Sequence, residues 1–260
     1  MNSCCILLTA VVSILSSAAF AEPSQRENWR YDHGAAIRGD VTSNRMAVVF
    51  TGDELGEGTA AILDALKQHE VKGSFFVTGR FVRNSELQPQ VKRMVAEGHY
   101  VGPHSDEHPL YAAWEKRGES LVTRDFFHRD IQRNIDGLRA IGALPKGEQV
   151  LFVPPYEWFN TDQVAWCREL GVELINFTPG SGSNRDYAPE GNPRFVASRA
   201  ILRDILKYEA NEPHGLNGFL LLMHLGSGRK DAFHALLPQL LDELTTRGYE
   251  LVRADDLLED

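Results

Sequence analysis

Cysteine is scarce in this chain: of three residues, Cys4 and Cys5 lie in the first apolar stretch and Cys167 stands alone far downstream. Once that stretch is removed, an internal disulfide framework is excluded. Cys167 sits beside Trp166 in a segment with helical spacing and reads as core. Basic runs are lacking too. With a net charge of −9 and dispersed Lys and Arg, nucleic acid and anionic membrane surfaces are poor partners, and a neutral substrate fits better than a polyanion. No apolar run reaches the roughly 20 residues of a membrane-spanning helix. Nor is there a repeat, a low-complexity tract or a linker, so no boundary divides the chain. What is present is an ordinary globular composition, 43% hydrophobic and 24% charged, in 260 residues. That length suits a single large α/β domain.

Residues 1–21 have the form of a signal peptide, with an apolar run followed by Ala19-Phe20-Ala21 before Glu22. The expectation is a secreted or periplasmic protein with no membrane attachment after cleavage. Residues 22–45 are polar and aperiodic and read as an N-terminal extension, leaving 46–260 as the domain proper. In the domain, short apolar runs alternate with amphipathic ones. Strands are expected at 46–51, 73–78, 100–102, 149–153, 172–176, 218–223 and 249–252. Helices are expected at 58–70, 88–97, 123–141, 161–170, 198–209 and 233–247. Nearly unbroken apolar strands such as Phe219-Leu220-Leu221-Leu222-Met223 are buried on both faces. Their alternation with helices implies right-handed βαβ units and a parallel sheet or barrel, one unit short of eight.

Sites in such folds form at the C-terminal ends of the strands. Several ionisable or polar residues fall there: Asp53 and Glu54 after the first strand, His104 and His108 after the third, Tyr156 after the fourth and His224 at the end of the sixth. The two histidines are four apart. One helical turn would let them share a metal, whereas an extended segment would hold them roughly 13 Å apart. Two imidazoles with a carboxylate and an open position make a hydrolytic metal site. The same stretch, Ser105-Asp106-Glu107 included, also reads as a solvated acidic loop.

From Met46 onward the chain resembles the polysaccharide deacetylases, carbohydrate esterase family 4 with its NodB-homology domain. Thr51-Gly52-Asp53-Glu54-Leu55 is similar to the family's Thr-Phe-Asp-Asp-Gly, and His104, Ser105 and His108 match its His-Ser/Thr-x-x-His. Val153-Pro154-Pro155-Tyr156-Glu157 resembles its Arg-x-Pro-Tyr-Gly, and Leu222-Met223-His224 its Leu-x-His. The resemblance implies a distorted seven-stranded (β/α) barrel and hydrolysis of acetyl groups on a poly- or oligosaccharide. It implies Asp53 as general base and His224 as general acid. Glu54, His104 and His108 would hold a divalent ion, zinc by preference, and the Tyr156 N–H would face the oxyanion.

The departures are specific. Glu54 stands for an Asp, Gly52 for a Phe, Leu55 for a Gly and Val153 for the Arg that orients the base. No fourth-motif Asp follows the fifth strand, where Asn176-Phe177-Thr178-Pro179 stands instead. Arg185 and Asp186 in the next loop are candidates for the lost pair. Without a carboxylate partner, His224 is expected to lose its proton early, with activity falling before about pH 8. Two classes remain: a metal-dependent deacetylase, or a carbohydrate-binding pseudoenzyme that keeps the fold and the metal. Trp158 and Phe159 read equally as core or as a sugar-stacking wall.

Overall fold

The computed structural model describes residues 26–145, 147 and 149–259. The expected signal peptide, with Cys4 and Cys5, lies outside them. Among the described residues no helix is long and apolar enough to cross a membrane.

All seven expected strands form. They are β3 (Arg45–Gly52), β4 (Ser74–Val77), β5 (Tyr100–Pro103), β6 (Val150–Phe152), β7 (Val172–Leu174), β8 (Leu220–His224) and β9 (Glu250–Val252). The polar segment before them adds a hairpin of β1 (Arg30–Asp32) and β2 (Ala35–Arg38). The expected helices appear as α1 (Thr59–Gln68), α3 (Gln88–Ala96), α4 (Arg124–Ala140), α5 (Thr161–Glu169), α6 (Ser198–Asn211) and α7 (Leu237–Thr246). The short α2 (Gly79–Arg83) and α8 (Ala254–Leu257) are additional.

The expected closed barrel of seven strands is not found among the described residues. Among the described residues, nine strands form three sheets: the β1–β2 hairpin, a parallel pair β6–β7, and a parallel sheet in the order β5-β4-β3-β8 with β9 also on β3. The ladder breaks between β5 and β6, where the Tyr100 hydroxyl intervenes and accepts a hydrogen bond from the Leu151 N–H at 2.7 Å. It breaks again between β7 and β8, where β2 supplies single bridges, Ala36 to Ile175 and Arg38 to Phe219. A side chain and an inserted hairpin thus take hydrogen-bonding positions that a continuous barrel would give to neighbouring strands.

Alternation along the strands separates two cores. Met46, Val48, Phe50, Phe75, Val77, Leu221 and Met223 pack among the helices. Ala47, Val49, Phe76, Tyr100, Leu151, Val153, Leu220 and Leu222 form the second core, with Leu257 and Leu258. Because the strand period is two, this second face continues through Thr51, His104 and His224. The functional residues therefore cap a packed core. The ladder pairs Thr51 with His224 and Val77 with Pro103, so the strand ends are level.

Candidate active site

Asp53, Glu54, His104, His108, Tyr156, Glu157 and His224 line one cavity of about 450 Å³. The sequence-predicted residues do meet, although not all in the roles expected of them.

The histidines are brought together without a helical turn. Ser105 (φ 73°) and His108 (φ 54°) adopt left-handed backbone, which folds the loop so that the two ring centroids lie 5.0 Å apart. The loop is propped from α4: Asn134 Oδ1 accepts the His104 N–H at 2.9 Å and Asp130 Oδ1 accepts the Glu107 N–H at 3.1 Å. Asp106 is not solvated as its acidic neighbourhood suggested. It is fully buried and paired with Arg83 at 2.5 Å and Arg133 at 3.3 Å. The two pairs tie the loop to α2 through Arg83 and to α4 through Arg133, and a buried carboxylate left without a cation is strongly destabilising. Gly79 is required there, since a Cβ would lie 1.8 Å from Asp106 Oδ1. Glu107 remains on the surface.

Burial pushes the His104 imidazole well below its ordinary pKa, and burial also lowers that of His108. Both rings are therefore neutral, the form that binds metal. His104 Nδ1 stands 2.7 Å from the Val153 carbonyl. That bond places the proton on Nδ1 and leaves the Nε2 lone pair free, the usual outer-shell arrangement of a metal-binding histidine. The donor chemistry fits a divalent ion. Two cavity-lining carboxylates, Asp53 and Glu54, are candidates for the third donor. Among the described residues no three His, Cys, Asp or Glu side chains gather closely enough to hold a metal. Glu54, the expected carboxylate ligand, is 67% exposed and bound to Arg80 at 2.6 Å, whereas Asp53 Oδ2 lies 3.9 Å from His108 Nδ1.

Arg80 is the residue that sequence reasoning missed. It also pairs with Asp53 at 3.0 Å, and Thr78 Oγ1 donates to the other Asp53 oxygen at 2.9 Å. An arginine from α2 thus orients the carboxylate that the family orients from the position of Val153. Arg185 does not take that part; it is bound to Asp204 at 2.6 Å. The available signal was Thr78, an N-cap that accepts the Phe81 N–H and starts α2. The same helix explains Gly52. A Cβ there would lie 2.7 Å from Leu225 and 3.0 Å from Phe81, so the Phe81 ring occupies space that a bulkier residue would need.

His224 has the carboxylate partner that its sequence context denied it. Asp186, in the 3-10 turn Ser183–Tyr187, meets His224 Nδ1 at 2.7 Å, and its second oxygen accepts the His224 N–H at 2.9 Å. Burial opposes charge on this imidazole, but the Asp186 carboxylate, with a smaller contribution from Glu157, outweighs it and raises the pKa. The expectation of an unsupported, early-deprotonating His224 is therefore overturned.

Tyr156 (φ 60°) and Glu157 (φ 50°) are left-handed in succession. Strain of this kind persists only where the surroundings enforce it. Here Asn176 Nδ2 donates to the Glu157 carbonyl at 2.8 Å, and the Glu157 N–H donates to the Pro154 carbonyl at 2.9 Å. Glu157 has no counterpart among the expected site residues; burial raises its carboxyl pKa, partly offset by His224. Phe159 is core. Trp158 is half-buried and braces Trp114, with ring centroids 5.3 Å apart and Arg117 4.2 Å from the Trp158 ring centre. Trp114 is 55% exposed and lines the cavity, as does Tyr187. Large aromatic residues in a polar loop were the only sequence signal for them.

The sequence profile described as polysaccharide deacetylase matches residues 40–175. The chain is 31% identical over 215 residues to a peptidoglycan-N-acetylglucosamine deacetylase from Bacillus cereus, covering 82% of this chain and 69% of that protein. Its fold matches PdaA from Bacillus subtilis, a family 4 carbohydrate esterase, with a TM-score of 0.67 at 23% identity over 86% of this chain and 84% of the other. It matches equally a family 4 pseudoenzyme from Bacillus anthracis, with a TM-score of 0.67 at 20% identity over 88% and 70%. Both structural likenesses speak to fold alone.

Proposed function

This chain belongs to the polysaccharide deacetylase family, and from that premise we propose that it is a metal-dependent hydrolase removing acetyl groups from an N- or O-acetylated glycan outside the cytoplasm. The observation that carries the reading is the placement of an oriented carboxylate, two neutral imidazoles and a carboxylate-supported histidine around one cavity.

A divalent ion, zinc by preference, would be held by His104, His108 and a carboxylate, and it would polarise the acetyl carbonyl and acidify a water. Asp53, held from two sides by Thr78 and Arg80, removes the proton of the attacking water. The Tyr156 N–H donates to the developing oxyanion; the amides of Glu157 and Trp158 are already bonded to Pro154 and Pro155. His224 donates a proton to the leaving amine or alcohol through Nε2, since Nδ1 is engaged by Asp186. The products are acetate and a free amine or hydroxyl.

Acetate release from acetylated glycans, before and after chelation and zinc addition, tests the whole reading. Release that ignores the chelator would sink the metal dependence. A His104→Ala, His108→Ala double variant should lose bound metal, measured by elemental analysis of dialysed protein. Glu54 is the proposed third ligand and must exchange Arg80 for the ion, so Glu54→Gln should weaken metal binding as well. That Arg80 bond is also the observation favouring a second reading, a glycan-binding protein without turnover. In that case glycan binding persists while no substrate releases acetate.

Trp114 offers an exposed ring beside Tyr156, with centroids 6.0 Å apart. Stacking of a sugar on such a face is worth about 0.5–1.5 kcal/mol. Trp114→Ala should therefore raise KM by roughly two- to tenfold, with kcat changing much less. A drop confined to kcat would show that the ring acts on the chemistry and not on binding.

A further inference from the structure

Glu157 stands where the similar family motif ends in glycine, and two of its features run against what folding alone would select. Its φ of 50° lies in a backbone region that glycine enters without strain and a residue with a Cβ does not. Its half-buried carboxyl lines the cavity without a cation from the protein backbone's charged side chains. The neighbours are the Thr51 hydroxyl, His224 and Asp186, and no Lys or Arg among the described residues acts on it. The main chain is nevertheless fixed on both sides, the N–H by the Pro154 carbonyl and the carbonyl by Asn176. Strain of this kind together with an unpaired carboxyl, both at a cavity wall, points to a partner that arrives with the substrate.

The other carboxylates of the site are already paired. Asp53 and Glu54 are held by Arg80, and Asp186 by His224. The place of Glu157 follows from its neighbours. Thr51 is opposite His224 in the β3–β8 ladder, so a carboxyl facing both lies on the side from which His224 Nε2 delivers its proton. The preceding residue, Tyr156, carries the N–H assigned to the oxyanion. A bond cleaved between those two donors has its leaving atom beside Glu157.

We propose that Glu157 is a further catalytic residue, whose carboxylate accepts a hydrogen bond from the leaving nitrogen and stabilises the positive charge that develops there. This rests on the deacetylase reading. The nitrogen of the tetrahedral intermediate carries one hydrogen, gains a second from His224 Nε2 and becomes cationic. The C–N bond then breaks and its electron pair returns to nitrogen as the lone pair of a neutral amine. The oxyanion re-forms the carbonyl of acetic acid, which ionises to acetate. Glu157 takes no proton at any point. Its hydrogen bond is stronger in the transition state than in the bound substrate, the kind of interaction that raises kcat. An ester oxygen has no hydrogen to offer before His224 supplies one, and a carboxylate repels a departing alkoxide.

The test compares two β-1,4 tetramers that differ in N–H or O at the reacting positions, one of N-acetylglucosamine and one of 2-O-acetylglucose. Rates are measured below the basic limb of the pH profile, where His224 is protonated in every variant. Glu157→Gln should lower the amide-to-ester ratio of kcat/KM roughly 10- to 100-fold, the weight of one charge-assisted hydrogen bond. Glu157→Gly, whose backbone accepts this φ without strain, should do the same even where the first variant folds poorly. An equal loss on both tetramers, or a ratio that does not fall, overturns the proposal. Calorimetry gives a readout without turnover. The glucosamine tetramer, with its protonated amines, should bind roughly tenfold less well to Glu157→Gln than to the wild type, with the N-acetylated tetramer changing less. If the wild type hydrolyses neither acetylated tetramer, the deacetylase reading fails. The affinity for the glucosamine tetramer still decides the role of Glu157, and an affinity unchanged in Glu157→Gln overturns it.

Discussion

An Asp53→Asn variant is expected to keep its metal and to lose roughly 10²–10⁴ in kcat, the scale of a lost general base. The amide has the shape of the carboxylate and can still accept from Thr78 Oγ1, now 2.9 Å away. It cannot take a proton from water. Metal content measured on the same preparation separates the two possible parts for Asp53. Its Oδ2 is within 3.9 Å of His108 Nδ1, while Glu54 is held outward by Arg80. Loss of metal in Asp53→Asn together with retention in Glu54→Gln would make Asp53 the ligand and move the first motif by one residue. Activity close to that of the wild type would remove Asp53 from the chemistry altogether.

Asp186→Asn is expected to move the basic limb of the pH–kcat profile down by about 1–3 pH units, the usual effect of one opposite charge in contact. The sign follows from the pair. The Asp186 carboxylate favours protonated His224 and raises its pKa against the effect of burial. His224 as the acid must carry its proton, so activity falls as pH rises through that pKa. Removing the negative charge lowers the pKa, and the fall begins at lower pH. His224→Ala should abolish this limb and leave metal bound. A limb unmoved in Asp186→Asn, or persisting in His224→Ala, would assign the proton donor to another group.

The strands were legible because their signal is local. Phe219-Leu220-Leu221-Leu222-Met223 can be read as a buried strand from five consecutive residues, and β8 covers most of it. Barrel closure was not legible in this way. It depends on whether the β5 and β6 backbones meet, and the Tyr100 hydroxyl, bonded to an amide 51 residues away, takes that position. The helical turn assumed for the histidines failed for a related reason. Four-residue spacing is compatible with several backbone paths, and the left-handed conformations of Ser105 and His108 are enforced by contacts with α2 and α4.

From the sequence alone came the order of strands and helices and the residues at the strand ends. Asp53, Glu54, His104, His108, Tyr156 and His224 could be named because alternation and motif spacing are properties of neighbouring residues. The tertiary structure alone decided which charges face one another. The Asp186–His224 pair spans 38 residues and the Arg80–Glu54 pair spans 26, and neither leaves a periodic trace along the chain. An ion pair needs only that two groups meet at about 3 Å, wherever the chain has carried them. For this reason the arginine absent at Val153 could return from α2, and the missing aspartate from a loop.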